Sequence, residues 1–201
     1  DIAALGAPIE VRNVEAFFGA AVETACVHAR MADVVIMSAS SARAENGQRG
    51  IFERVLFASG RPVLLIPETW SDSAIGTQVL IGWKPSKEAV RAIHDWLALW
   101  GTCERAIVAT VDAHPSAFGF GQEPGADVSQ HLRQHGVSTE VRNLDGIDRG
   151  AGGSLAAEAR KAGVDLLVIG GYGHARFQEM VFGGATRDLV TSSPVPLLLS
   201  H

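Results

Sequence analysis

Four stretches in the C-terminal part of this chain carry apolar residues almost without interruption: "TQVLIGW" (Thr77–Trp83), "RAIVATVD" (Arg105–Asp112), "DLLVIG" (Asp165–Gly170) and "PLLLS" (Pro196–Ser200). A strand with one wet face alternates apolar and polar residues; a continuous run implies burial on both faces. Between these runs lie segments of helical period. Ser86 is placed to cap a helix reaching about Trp100, with Val90, Ile93, Leu97 and Trp100 on one face and Lys87, Arg91 and Asp95 off it. A Gly/Pro-rich loop, Ala113–Gly125, leads to a helix ending near Gly136, and "TEVRNL" follows as a further strand. Short helices are expected over Ser154–Ala162 and from about Gly183 to Ser192. Strands alternating with helices give a parallel sheet covered on both sides. With right-handed crossovers this is a doubly wound, five-stranded α/β unit of strand order 3-2-1-4-5.

Part of this plan occurs twice. "LGAPIEVRNVEA" (Leu5–Ala16) matches "HGVSTEVRNLDG" (His135–Gly146), "ADVVIMSAS" matches "VDLLVIGGY", and "SGRPVLLIP" matches "SSPVPLLLS", in order and offset by 130 to 134 residues. The expected organisation is a first, partial copy over residues 1–67, a linker over 68–76 and a complete copy over 77–201. Strands at about 9–14, 33–38 and 62–67 and helices near 16–31 and 49–59 make up the first copy, which lacks counterparts of the first two strands. Two empty places inside a sheet would leave backbone unpaired. The expectation is therefore that N-terminal residues are missing from the first copy; the alternative is a reduced half whose strands pair directly. Each copy ends in an apolar strand that would lie at its sheet edge, so Val63–Ile66 and Leu197–Ser200 are expected to pair antiparallel within the chain.

Composition narrows the partners. A net charge of −5 with no basic block argues against nucleic acid and anionic membranes. No apolar stretch approaches the about 18 residues of a membrane span, and the expected compartment is the cytoplasm. Cys26 and Cys103 have no metal-type spacing and read as buried thiols. His131 and His135 share a helical spacing, but the sequence supplies no third ligand beside them and they read as solvated. No P-loop, no G-x-G-x-x-G after the first strand and no nucleophile elbow occur. No catalytic or metal-binding residue is assigned, and no enzyme activity is expected.

Gly170-x-x-Gly173, followed by nine residues and Gly183, stands between a buried strand and a helix. Together with the element order, this pattern resembles the universal stress protein family over Thr77–His201, and a decayed form of it covers Asp1–Pro67. The resemblance implies a tandem form of that family and an ATP or other adenine-nucleotide site between the first and fourth strands. It also implies a role in stress response or signalling without substrate turnover, and frequent dimers. Carried over residue by residue, Gly170, Gly173, Gly183, Gly184 and Ala185 would surround the phosphates, and Trp83, Lys84 and Val111 would lie near base and ribose. His174 and Arg176 would add positive charge, and Mg²⁺ would accompany the nucleotide. Physical chemistry points the same way: glycines admit close approach, and a helix N-terminus favours an anion.

Two positions depart from the family's pattern. Gly184 stands where nucleotide binders usually carry Ser or Thr, and Lys84 where they usually carry Asp. In the first copy Ser38 and Ser41 replace the first two glycines, and a polar loop over 42–50 follows, so that half reads as a scaffold. The alternative function is a nucleotide-free interaction module acting through pairing of its two halves, or of two chains, and through partner contacts.

Overall fold

A computed structural model describes residues 8–44, 47–72, 74–116, 120–172 and 184–201. The elements follow in the order α1 (Phe18–Ala29), β1 (Val35–Ser38), α2 (Ala39–Arg43), α3 (Gln48–Ala58) and β2 (Val63–Ile66). After residues 68–76 come β3 (Gln78–Gly82), α4 (Lys87–Trp100), β4 (Arg105–Val111), α5 (Ala126–Gln134) and β5 (Thr139–Leu144). The chain closes with α6 (Gly150–Ala162), β6 (Leu166–Gly170), α7 (Gly184–Ser192) and β7 (Leu197–Ser200).

All seven of these strands form one sheet, in the order β1-β2-β7-β6-β3-β4-β5. Every neighbouring pair is parallel except β2 and β7, which run antiparallel with Val63 opposite Leu199, Leu64 opposite Leu198 and Leu65 opposite Leu197. Strands buried on both faces explain the continuous apolar runs. On one face Leu65, Leu80, Ile107, Leu167 and Leu199 pack under α3, α6 and α7; on the other Leu64, Ile81, Val108, Val168 and Leu198 pack under α4 and α5, with Trp96 fully buried.

α4 begins where Ser86 Oγ accepts from the Ala89 N–H at 3.3 Å. The start of β3 is fixed by a carboxylate that the sequence reading passes over. Asp165 accepts backbone N–H bonds from Gly76 (2.8 Å), Thr77 (3.0 Å) and Gln78 (3.1 Å), tying the start of β3 to the start of β6. Trp100 Nε1 donates to the Ile75 carbonyl at 2.7 Å and closes the same corner.

Three expectations need correction. Residues 9–14 form no strand: residues 8–17 are irregular and exposed, with Val11 77% accessible. Their counterpart β5 is held by β4, whereas β1 pairs with β2 alone, so nothing offers residues 9–14 a ladder. The outer face of β1 is correspondingly bare, with Ile36 62% exposed, because among the described residues no helix equivalent to α4 covers it. The polar loop expected over 42–50 is in fact mostly helical: Arg43 ends α2, and α3 starts at Gln48. Glu68 organises this corner, accepting from the Ser40 N–H at 2.6 Å and the Ser38 hydroxyl at 2.9 Å and pairing with Arg43 at 3.0 Å. The hydrogen bonds from Ser40, from its own backbone and from Ser38 hold its carboxyl down at about 2. Third, Cys26 is buried but Cys103 is only half-buried; both are free thiols, and burial pushes the Cys103 thiol up to about 11.

His94 of α4 meets His131 and His135 at the end of α5, with ring centroids 5.3 and 6.5 Å away, while His131 and His135 are 4.7 Å apart. Among the described residues no group of three His, Cys, Asp or Glu is arranged to hold a metal ion. Burial, then the neighbouring His135 and His94, lower the His131 pKa, and its Nε2 is buried with no hydrogen-bond partner among the described residues. A neutral native imidazole means that the unfolded chain takes up the proton first, near pH 6.5. Stability is therefore expected to fall as pH drops below about 6.5, and the loss to stop once the native ring is protonated too. Urea midpoints at pH 7.5 and 5.5 check this, and His131→Gln should narrow the difference.

Candidate functional site

In an open α/β sheet a ligand crevice forms at the carboxyl ends of the strands, where the strand order reverses. Here β3 lies between β6 and β4, so the switch point falls between β3 and β6. Register brings their ends level: Gly82 is opposite both Ile169 and Ala109. Trp83, Val111 and Gly170 therefore lie at the carboxyl ends of neighbouring strands. Trp83 is half-buried, and its N–H donates to the Ala109 carbonyl at 2.7 Å, extending the ladder by one residue. Lys84 follows it into solvent. Val111 is half-buried beside Gly146.

Gly170 is small for a reason that the sequence hides. A Cβ there would fall 2.4 Å from the Ala89 N and 2.6 Å from the Glu88 carbonyl carbon, so the first turn of α4 rests directly on it. Close packing by the protein's own helix thus accounts for this glycine. Gly82 is similar, since a Cβ would meet Ile169 Cγ2 at 2.8 Å and Leu155 Cδ1 at 2.9 Å.

Gly184 is different: no atom of the described residues lies within 4 Å of where its Cβ would be, and it opens α7 as an exposed residue. The helix is anchored to the sheet rim because the Tyr172 N–H donates to Thr186 Oγ1 at 3.3 Å. Ala185 packs against α6, where a Cβ on Gly152 would sit 2.8 Å from its carbonyl oxygen. Gly173, His174, Arg176 and Gly183 lie outside the described residues.

Charge at this rim is uneven. Glu88 is buried in the first turn of α4 and salt-bridged to Lys87 at 3.6 Å. Burial pushes its carboxyl up, but hydrogen bonds from its own backbone and from Ser86, with Lys87 and His201 nearby, outweigh that and leave it below the ordinary range. The N-terminal end of α4 thus already has its anion, which leaves the start of α7 for a ligand's. The sequence reading also missed Asp112, whose carboxylate accepts the Gly146 N–H at 2.9 Å from a left-handed backbone with φ 48°. A carboxylate one residue past a buried strand was the available signal. Among the described residues no helix is long and apolar enough to cross a membrane.

No protein-family model and no curated protein sequence matches the chain. Solved structures do. A universal stress protein from Archaeoglobus fulgidus DSM 4304 superposes with a TM-score of 0.65 at 17% identity, over 89% of this chain and 64% of its own. The chain thus spans under two thirds of that relative's length. A putative universal stress protein from Pseudomonas aeruginosa UCBPP-PA14 gives 0.51 at 13% identity, over 93% and 69%. A functionally unknown protein, PA1789 from Pseudomonas aeruginosa PAO1, gives 0.52 at 11%, over 93% and 68%. By superposition, the chain has the α/β fold of universal stress proteins.

Proposed function

We propose that this chain is a universal stress protein that binds an adenine nucleotide, ATP or AMP, and acts in stress response or signalling without turning a substrate over. The observation that carries this reading is the start of α7. Among the described residues nothing crowds Gly184, at a helix N-terminus that the Tyr172–Thr186 hydrogen bond ties to the carboxyl end of β6. Free N–H groups and the positive end of the helix dipole suit a phosphate there. The adjoining Gly170-x-x-Gly173 and Gly183 spacing supports the same assignment. On this reading Trp83 and Val111, at the ends of β3 and β4, would lie near the base and ribose.

The experiment is thermal denaturation with ATP, ADP and AMP, with and without Mg²⁺. A nucleotide at 100 times its Kd adds about 2.7 kcal/mol to the native state and raises Tm. Gly184→Asp separates ligand from fold. A carboxylate in the first turn of α7 complements the helix dipole and leaves the free protein at least as stable, yet repels a phosphate. The expected result is an unchanged or higher Tm without nucleotide and loss of the nucleotide shift.

The contact of Gly170 with Ala89 favours a second reading, since a glycine used for packing needs no ligand to account for it. On that reading the chain is a nucleotide-free module working through pairing of its two halves and partner contacts, in a homodimer or with another protein. No Tm shift with any of the three nucleotides at millimolar concentration would select it.

A further inference from the structure

On the flank of α7 opposite Gly152, a cavity of about 190 Å³ opens between that helix and α2 and α3. Its walls bring together residues far apart in sequence: Arg43, Arg49 and Phe52 from the first part of the chain, Tyr172, Arg187 and Thr191 from the last. Among the described residues three guanidiniums face two carboxylates: Arg43 pairs with Glu68 at 3.0 Å and Arg49 with Glu53, itself in the wall, at 2.8 Å. Arg187 is the remaining charge; its side chain makes no hydrogen bond or ion pair with any described residue. Arg43 also donates to the Thr191 carbonyl at 2.7 Å, which covers the negative end of α7 and leaves that corner tolerant of an anion.

We propose that this cavity is an anion site, distinct from the crevice at β3 and β6, that takes a small phosphoryl-bearing ligand between the two parts of the chain. Guanidinium forks match the oxygens of a phosphoryl group and hold their charge at any working pH. The volume is below the about 300–1,000 Å³ of clefts that enclose a drug-sized ligand, so the fit is to a phosphate or small phosphate ester rather than a whole nucleotide. Tyr172, held at φ 58° in the left-handed region that residues with side chains rarely adopt, forms part of the wall. An occupied site would bridge Arg49 on α3 to Arg187 on α7 across the β2–β7 seam.

The test is thermal denaturation of the full chain in sodium phosphate against sodium chloride of equal ionic strength. Phosphate at ten times its Kd should raise Tm by about 3–5 °C. Arg187→Ala, an exposed position, should leave Tm in chloride unchanged and remove most of the rise, while Arg187→Lys should restore part of it. No rise for the wild type overturns the proposal, as does a rise undiminished in Arg187→Ala. Gly184→Asp keeps this site apart from the nucleotide reading. A phosphate response that survives Gly184→Asp and is lost in Arg187→Ala supports the cavity. The opposite pattern places the anion at the start of α7 and overturns the proposal. Nucleotide shifts measured in Arg187→Ala report on the crevice independently.

Discussion

Leu198→Asp is expected to leave no cooperative unfolding transition at 25 °C. Leu198 is fully buried at the centre of β7, opposite Leu64 of β2 in the antiparallel pair, and packs in the core under α4. An unpaired carboxylate there has no hydrogen-bonding partner to offset its desolvation. Such a substitution belongs to the tail above about 4 kcal/mol, a large share of the roughly 5–15 kcal/mol that holds a domain together. Leu198→Ala, which leaves only a cavity, should cost about 2–5 kcal/mol. Ile36→Asp, on the bare face of β1, is the control and should shift stability by no more than about 0.5 kcal/mol. Urea titration followed by circular dichroism separates the three. A Leu198→Asp protein with a wild-type midpoint would mean that β2 and β7 do not meet.

The second large effect is expected at Asp165. Its carboxylate is the acceptor for the N–H groups of Gly76, Thr77 and Gln78, and only 8% of the residue is accessible. Asp165→Ala strands three donors at a half-buried corner beside Trp100. At about 1–3 kcal/mol for each unsatisfied group, less whatever water reaches them, the loss should be about 3–5 kcal/mol. Asp165→Asn keeps one acceptor oxygen and should fall between alanine and wild type. Hydrogen exchange offers a local readout: the amides of residues 76–78 should lose protection first in either variant. Equal midpoints for wild type and Asp165→Ala would refute the role assigned to this carboxylate.

Apolar periodicity made β3, β4, β6 and β7 legible because burial on both faces leaves no choice of residue type. The antiparallel contact of β2 with β7 followed from two apolar strands that would otherwise lie bare at an edge. Residues 9–14 misled because "EVRN" repeats the sequence of β5 without a neighbour to pair with; strand formation is a property of the partner as much as of the segment. The start of α6 was placed four residues late because "GAGG" reads as a loop. In the structure Gly152 lets α6 approach the backbone of α7, and that contact outweighs the roughly 1 kcal/mol helix penalty of glycine. At the candidate site the sequence located the strand ends but not the tenant of Gly170, since Ala89 reaches it only through the packing of α4. The arginine cavity was invisible for the same reason. Arg49 and Arg187 are 138 residues apart, and only the seam brings their helices together.

That seam also sets the polarity of the molecule. Because β2 runs against β7, the strands β1 and β2 finish at the opposite rim from β3, β4, β6 and β7. The loops that leave the two groups of strands therefore look out in opposite directions, like the two mouths of a pipe. The corner at the end of β1, where the Ser38 hydroxyl donates to Glu68, thus lies at the rim opposite the ends of β3 and β6 at Gly82 and Gly170. A message passing from one mouth to the other has two routes: the leucines of the seam, and the contacts of α2 and α3 with Thr191 and Tyr172.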